Sequence, residues 1–294
     1  MLTSQRTLTA HDGLSLHTRW WAPDGAPNGV VCLVHGLGEH CGRYDHVAER
    51  LTGAGYAVAA HDLRGHGRSG GPRGHAASFE AVMDDISLML DEAAAAHPGL
   101  PRFLYGHSLG GALVLNHALR RRPDIAGAIV TGPGLRPARP QPPLKLILGR
   151  ALVRSVPALP LDNGLDRTGI SRDPAVCAAY RDDPLVHGRV SARFGLDILT
   201  SGEWALAHAA EFAYPLLLVQ GSDDRIVSPD ATREFAEAAG PGVTFQVWDG
   251  LYHECHNEPE RADVLEAMVA WLKEHSLPAG PDPLEGATAW PRAS

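Results

Sequence analysis

The stretch Arg102-Phe103-Leu104-Tyr105-Gly106-His107-Ser108-Leu109-Gly110-Gly111-Ala112-Leu113-Val114-Leu115-Asn116-His117-Ala118-Leu119 changes character at its middle. Arg102 to Gly106 is short, apolar and aromatic, the pattern of a buried strand. Leu109 to Leu119 is apolar almost all round, so a helix there belongs in the interior. Between them Gly106-His107-Ser108-Leu109-Gly110 fits Gly-x-Ser-x-Gly, a pattern whose meaning depends on its setting. A strand before it and a helix after it make the setting of a nucleophile elbow: a sharp turn that lifts the serine hydroxyl clear of the sheet. The alternative is an ordinary strand-to-helix turn with a capping serine. Glycines on both sides favour the elbow, because they let strand and helix approach closely. The first turn of the helix then offers unpaired N–H groups and a positive dipole end to a developing oxyanion.

Outward from this point the chain alternates strands and helices. Val30 to His35 and Tyr56 to Leu63 are continuous apolar strands, as expected when both faces of a sheet are covered. Phe79, Val82, Met83, Ile86, Met89, Leu90 and Ala93 recur at spacings of three and four, and His97-Pro98-Gly99 ends that helix. Ile125 to Thr131 is the next strand. From Arg136 to Phe212 the alternation stops; helical pieces and prolines appear, and no clear strand. It resumes with strands Leu216 to Gln220 and Val243 to Trp248, and with helices opened by Ser228-Pro229 and marked by Leu265, Met268, Val269 and Leu272. Gln5 to Ala22 has the form of a hairpin turned at Asp12-Gly13. The expected architecture is α/β, with a mostly parallel central sheet flanked by helices and a helical cap inserted after the sixth strand. Residues 1–135 and 213–275 form the core, 136–212 the cap and 276–294 a flexible tail.

Two later strand ends complete the chemistry. In α/β-hydrolases the order is serine, acid, histidine, each after a later strand. Leu216 to Gln220 leads into Gly221-Ser222-Asp223-Asp224-Arg225, and Val243 to Trp248 into Asp249-Gly250-Leu251-Tyr252-His253. Spacing leaves Asp223 or Asp224 as the acid and His253 or His256 as the base. For the other member of each pair, and for His35, His61 and His66, the ordinary reading is a structural role. The loop after Val30 to Val34, His35-Gly36-Leu37-Gly38-Glu39-His40, is where a second oxyanion donor belongs.

At these residues the sequence resembles the monoacylglycerol lipases and their bacterial lysophospholipase-like relatives. The likeness covers about Leu8 to His275. It is carried by His35 to Tyr44, Asp62 to Gly71, Gly106 to Gly111, Gly221 to Arg225, Tyr252 to Glu258, and two segments of the insertion, Ser171 to Pro174 and Asp182 to Val186. The resemblance implies Ser108 as nucleophile, Asp224 as acid, His253 as base, and the backbone N–H groups of Leu37 and Leu109 as oxyanion donors. It implies hydrolysis of single-chain lipid esters such as monoacylglycerols, in preference to triacylglycerols, with no cofactor and no metal. The alternatives are a lysophospholipase, a general short-chain esterase, thioesterase or aminopeptidase, and a hydrolase-fold receptor without turnover.

The bulk numbers bound the class of protein. The chain has 294 residues, 44% of them hydrophobic, enough for one large core. A net charge of -8 and the lack of a basic tract argue against nucleic acid. Arg120-Arg121-Arg122 precedes Pro123 at a helix end, where cations complement the dipole. Four cysteines without paired spacing suggest neither zinc nor a disulfide framework. With no signal-peptide h-region and no membrane-spanning run, the expected setting is cytoplasmic and reducing. In the insertion, Leu144, Ile147, Leu148, Ala151 and Leu152 share a helical face, which suits packing on the core, an acyl tunnel or transient contact with a membrane surface.

Overall fold

The structure, a computed structural model, describes residues 1–139 and 153–276. Its strands are β1 (Leu2–Thr9), β2 (Ser15–Ala22), β3 (Val30–Val34), β4 (Ala57–His61), β5 (Arg102–His107), β6 (Gly127–Thr131), β7 (Pro160–Asp162), β8 (Arg189–Ser191), β9 (Leu216–Gly221) and β10 (Val243–Trp248). Its helices are α1 (Asp45–Gly53), α2 (Phe79–Ala96), α3 (Leu109–Arg121), α4 (Pro174–Asp182), α5 (Ala192–Ala207), α6 (Pro229–Ala239) and α7 (Arg261–His275).

Eight strands form one sheet in the order β1-β2-β4-β3-β5-β6-β9-β10. The β1–β2 and β2–β4 pairs are antiparallel and the rest are parallel. The α/β-hydrolase architecture expected from the pattern is therefore present. All five residues of β3 are buried, and successive side chains serve opposite layers. Val30, Cys32 and Val34 face a cluster that includes Val82, Met83 and Ile86 of α2 and Leu113 of α3. Val31 and Leu33 face one with Leu51 of α1 and Met268 and Val269 of α7. Each such side chain withdrawn from water contributes about 1.5–3 kcal/mol before chain entropy is set against it. Helix α2 starts where Ser78 Oγ accepts the Ala81 N–H, a cap that contributes about 1 kcal/mol.

This layering positions the site. From β3 the chain first runs to β4 on one side, and later returns with β5 on the other. Loops leaving β3 and β5 therefore diverge, and open sheets bind ligands at such a switch point. The register pairs Val34 with Gly106, so both strands end at one level.

Two expectations need correction. Strand β1 begins at Leu2, not near Gln5, and pairs along its whole length with β2. The insertion also contains a two-stranded antiparallel ribbon, β7 with β8, where no strand was expected. Three-residue strands are too short to show a period of two, and Pro160 signals a break unless it lies at an edge. Helix α5 docks on α3, where Asn116 Nδ2 donates to the Ser201 carbonyl at 3.1 Å and the Arg120 guanidinium lies 3.5 Å from the centre of the Trp204 ring. The apolar face Leu144 to Leu152 and the tail beyond Ser276 lie outside the described residues. No helix among the described residues is long and apolar enough to cross a membrane.

Candidate active site

Ser108 stands between β5 and α3 with φ 54° and ψ −119°, a backbone region that a side-chain-bearing residue rarely adopts. Such strain costs about 1–3 kcal/mol and persists only where the surroundings impose it. Here the Ser108 N–H donates to the Thr131 carbonyl at 3.0 Å, and the Ser108 carbonyl accepts from Ala112 and Gly134. The flanking glycines make the turn feasible. A Cβ on Gly110 would lie 1.9 Å from the Val34 carbonyl oxygen, and one on Gly106 would lie 2.4 Å from that of Gly110. Leu109 opens α3, so its N–H has no carbonyl one turn back to bond. The loop after β3 meets the serine: a Cβ on Gly36 would come within 3.3 Å of Ser108 Cβ, and Leu37 and Ser108 line the same cleft.

Ser108 Oγ lies 2.8 Å from His253 Nε2, and His253 Nδ1 lies 2.8 Å from Asp224 Oδ2. The carboxylate can only accept, so Nδ1 carries the proton and Nε2 is free to accept from the serine. Asp224 Oδ1 accepts the N–H groups of Ile226 and Val227, at 2.8 and 3.0 Å. The loops are also tied together, because the Arg225 guanidinium stacks 4.7 Å from the centre of the Tyr252 ring. Asp223 is exposed, and its carboxylate accepts from the Ser222 hydroxyl. His256 is buried against Tyr44 and His107, and its carbonyl accepts from His46.

Burial pushes the Asp224 carboxyl up, but the His253 charge and bond, with the two amides, outweigh it and hold the group below its ordinary value. Burial pushes His253 down, yet Asp224, then Glu254 and Glu39, raise it above the ordinary histidine value. The neighbouring His107 goes the other way, pushed down to about 4 by burial and by His253. An imidazole held between a carboxylate and a serine hydroxyl can take the hydroxyl proton as that oxygen attacks a carbonyl carbon.

Beside the triad lies an ion cluster that spacing in the sequence did not reveal. Arg43 forks onto both oxygens of Glu254 at 2.8 Å and also pairs with Glu39. Glu39 Oε1 accepts from the Gly36 N–H and the Tyr44 hydroxyl. Both carboxylates are drawn down by Arg43 against burial that would raise them. Removing Arg43 would leave two buried carboxylates uncompensated, at a cost of about 3–5 kcal/mol. The cluster thus couples the loop holding Leu37 to the loop holding His253. Its signal lay inside the quoted segments His35 to Tyr44 and Tyr252 to Glu258, but pairing 211 residues apart leaves no local pattern.

The insertion closes over this floor. Leu165, Arg167, Ile170 and Tyr180 join Leu37, Glu39, Ser108, Ile226 and His253 around a cleft of about 320 Å3, part of it open to solvent. Tyr180 covers the Arg43 guanidinium at 4.5 Å, and His40 Nε2 meets Asp183 Oδ2 at 2.8 Å. Glu258 accepts both the Tyr252 N–H and the Arg172 N–H and Nε–H, and the Glu254 N–H donates to the Ile170 carbonyl. Both neighbours of His253 are thereby fastened to residues 170–172.

Residues 62 to 71 brace the floor. Asp62 accepts the N–H groups of Cys41 and Arg68, and Arg64 forks onto Asp85. His35 Nε2 accepts the Leu63 N–H, so its Nδ1–H donates to the Gly36 carbonyl. Among the described residues, His17, Cys41 and Asp62 bring donor atoms within 4.8 Å of one another. Both Asp62 oxygens already hold backbone amides, and Arg19 and Arg68 act on His17, so the group suits structure better than a cation.

Residues 25–260 match the family model described as serine aminopeptidase, S33. Over 274 residues the chain is 37% identical to a monoacylglycerol lipase of Mycolicibacterium smegmatis, covering 92% of this chain and 98% of that protein. It is 39% identical over 277 residues to an uncharacterized abhydrolase domain-containing protein of Dictyostelium discoideum, covering 93% of this chain but only 29% of that longer protein. Among solved structures, the monoacylglycerol lipase of Paleococcus ferrophilus matches with a TM-score of 0.82 at 37% identity, covering 88% of this chain and 99% of that one.

Proposed function

The chain belongs to the serine aminopeptidase S33 family and is a serine esterase of the α/β-hydrolase fold; from that premise we propose that it hydrolyses monoacylglycerols or similar single-chain lipid esters, with Ser108, His253 and Asp224 as its triad. The observation that carries this reading is the mixed lining of the cleft at Ser108. Leu37, Leu165, Ile170 and Ile226 are its apolar residues, and Glu39, Arg167 and Glu254 its charged ones. The apolar residues suit an acyl chain, whose burial contributes about 0.8 kcal/mol per methylene, and the charged ones suit a small polyol headgroup. Residues 136–212 act as the cap over a core of residues 1–135 and 213–275. Val156, Leu159 and Leu161, exposed in the insertion, support brief contact with a lipid surface. The four free cysteines suit a cytoplasmic, reducing setting.

In this mechanism Ser108 Oγ bonds to the ester carbonyl carbon while its proton passes to His253 Nε2. The oxyanion is met by the Leu37 and Leu109 N–H groups. The carbonyl re-forms as the C–O bond to the alcohol breaks, and the alcohol leaves with the proton from His253. Water then gives a proton to His253 and attacks the acyl-serine, and the departing Ser108 oxygen recovers that proton as the fatty acid is released.

The test is kcat/KM across mono-, di- and triacylglycerols of matched chain length, with a lysophospholipid, a short p-nitrophenyl ester and an aminoacyl p-nitroanilide. Monoacylglycerol should lead. Equal or faster triacylglycerol turnover overturns the reading. Activity confined to short esters, lysophospholipid or the anilide points to the corresponding alternative, and labelling by a fluorophosphonate without any turnover points to a receptor.

A further inference from the structure

We propose that Gln220 is a positioning residue that sets the alignment and basicity of the Asp224–His253 pair, with Thr232 anchoring its amide oxygen. The proposal rests on the triad reading above. Gln220 ends β9, and its side chain is fully buried. Its Nε2 donates to Asp224 Oδ2 at 2.9 Å, the same oxygen that receives His253 Nδ1–H, and to the Gly221 carbonyl at 3.2 Å. Its Oε1 accepts the Thr232 hydroxyl at 2.8 Å from α6. Both amide protons and the amide oxygen are thus engaged. A flipped amide would turn its oxygen toward the Asp224 carboxylate and the Gly221 carbonyl and lose both of those bonds, so these two acceptors set which way the amide faces while Thr232 anchors its oxygen.

The acid is therefore held from four directions: by Ile226 and Val227 on one oxygen, and by His253 and Gln220 on the other. A second donor on Oδ2 spreads its charge and weakens its pull on the imidazole, while preventing rotation of the carboxylate away from it. The other groups that act on His253 are His107 on β5, Glu39 after β3, and Glu254 beside it. Asp224 helps to push the neighbouring Cys255 thiol up, and Arg43 draws both glutamates down. The hydrogen bonds of the Gln220 side chain go to Asp224, Gly221 and Thr232 and to none of these groups, so its effect is separable from theirs.

The test compares Gln220→Met, Thr232→Val and the double variant with the unaltered protein, using kcat, KM and the pH profile of kcat/KM. Loss of a hydrogen bond to a charged group predicts a fall in kcat of about tenfold in Gln220→Met. KM should stay near its original value, and the acid limb should move to higher pH as Oδ2 concentrates on His253. Thr232→Val should move kcat and the limb the same way by less, and the double variant should match Gln220→Met. A folded Gln220→Met protein with the original kcat and limb overturns the proposal. So does a fall in kcat with an unmoved limb, which would mark a packing role. If Gln220→Met does not fold, Thr232→Val decides, and an original profile there overturns it. Ser108→Ala is run alongside: full activity in that variant removes the triad reading itself, whereas an inactive Ser108→Ala beside an unaffected Gln220→Met removes only this inference.

Discussion

Asp223 and Asp224 are adjacent in the chain but differently placed: Asp224 turns inward, its Oδ2 2.8 Å from His253 Nδ1, while Asp223 is exposed and meets Ser222 Oγ at 3.4 Å. Asp224→Asn should therefore lower turnover by about 10⁴-fold, because the asparagine leaves the imidazole in the wrong tautomer. Asp223→Asn should leave turnover close to that of the unaltered protein. Steady-state rates of both variants decide it, and a worse defect in Asp223→Asn would reverse the assignment.

Ser108→Ala should give a folded protein with turnover reduced by on the order of 10⁶-fold and no labelling by a fluorophosphonate. The strained backbone at Ser108 is imposed by its neighbours, so the far-ultraviolet circular dichroism should be unchanged. Activity of more than a few per cent, with contaminating esterase excluded by active-site titration, would falsify the nucleophile.

The pH profile of activity follows from His253. As the proposed base, His253 works only when neutral, and Asp224 raises its pKa above the ordinary histidine value. Activity should then be full at alkaline pH and fall as pH drops through a point above 6.5. Asp224→Asn removes the main cause that raises it, so the residual activity of that variant should show its acid limb at lower pH. A limb that stays put in Asp224→Asn would show that another group controls it.

Stability should have its own acid dependence. His61, His107 and His117 are buried and pushed down to about 4 by burial, from an ordinary 6.5. Between those values the unfolded chain binds protons that the folded chain does not, so stability falls as pH falls, by about 1.4 kcal/mol per pH unit for each fully separated histidine. His253 has the opposite sign, since its raised value gives stability present at low pH and lost as pH rises through that value. Other histidines, among them His35, His66 and His256, are lowered by burial as well, so together these groups outweigh His253 and predict a melting temperature that declines steadily from pH 6.5 toward 4. A flat profile across that window would contradict the burial argument.

Gly110→Ala should destabilise the protein by about 3 kcal/mol or more, since the new methyl would meet the Val34 and His35 carbonyl oxygens, at 1.9 and 2.6 Å, which are backbone and cannot step aside. Denaturant melts check this. An unchanged midpoint would mean that β3 and α3 are less tightly apposed than described.

The α/β layering was legible because it is written in local periodicity: β3 and α2 each carry their own pattern. The elbow was legible for the same reason, as glycine, serine and the strand-to-helix change fall within a few residues. What distinguishes Asp224 from Asp223, or His253 from His256, is which way a loop turns, and spacing left both pairs open. Gln220 and the Arg43–Glu254 pair were invisible as partners, because a buried polar residue declares itself only through what it meets. The β7–β8 ribbon was missed because each strand is three residues long and its partner lies almost thirty residues away.

The fastening of Tyr252 and Glu254 to Arg172, through Glu258, and to Ile170 has a mechanical outcome. A lid riveted to its own lock cannot swing at that edge without drawing the bolt. If the 170–172 edge lifted outward, it would pull the imidazole from the hydroxyl it must deprotonate, and the molecule would be disarmed while it gaped. Entry of an ester is then left to other edges of the mouth.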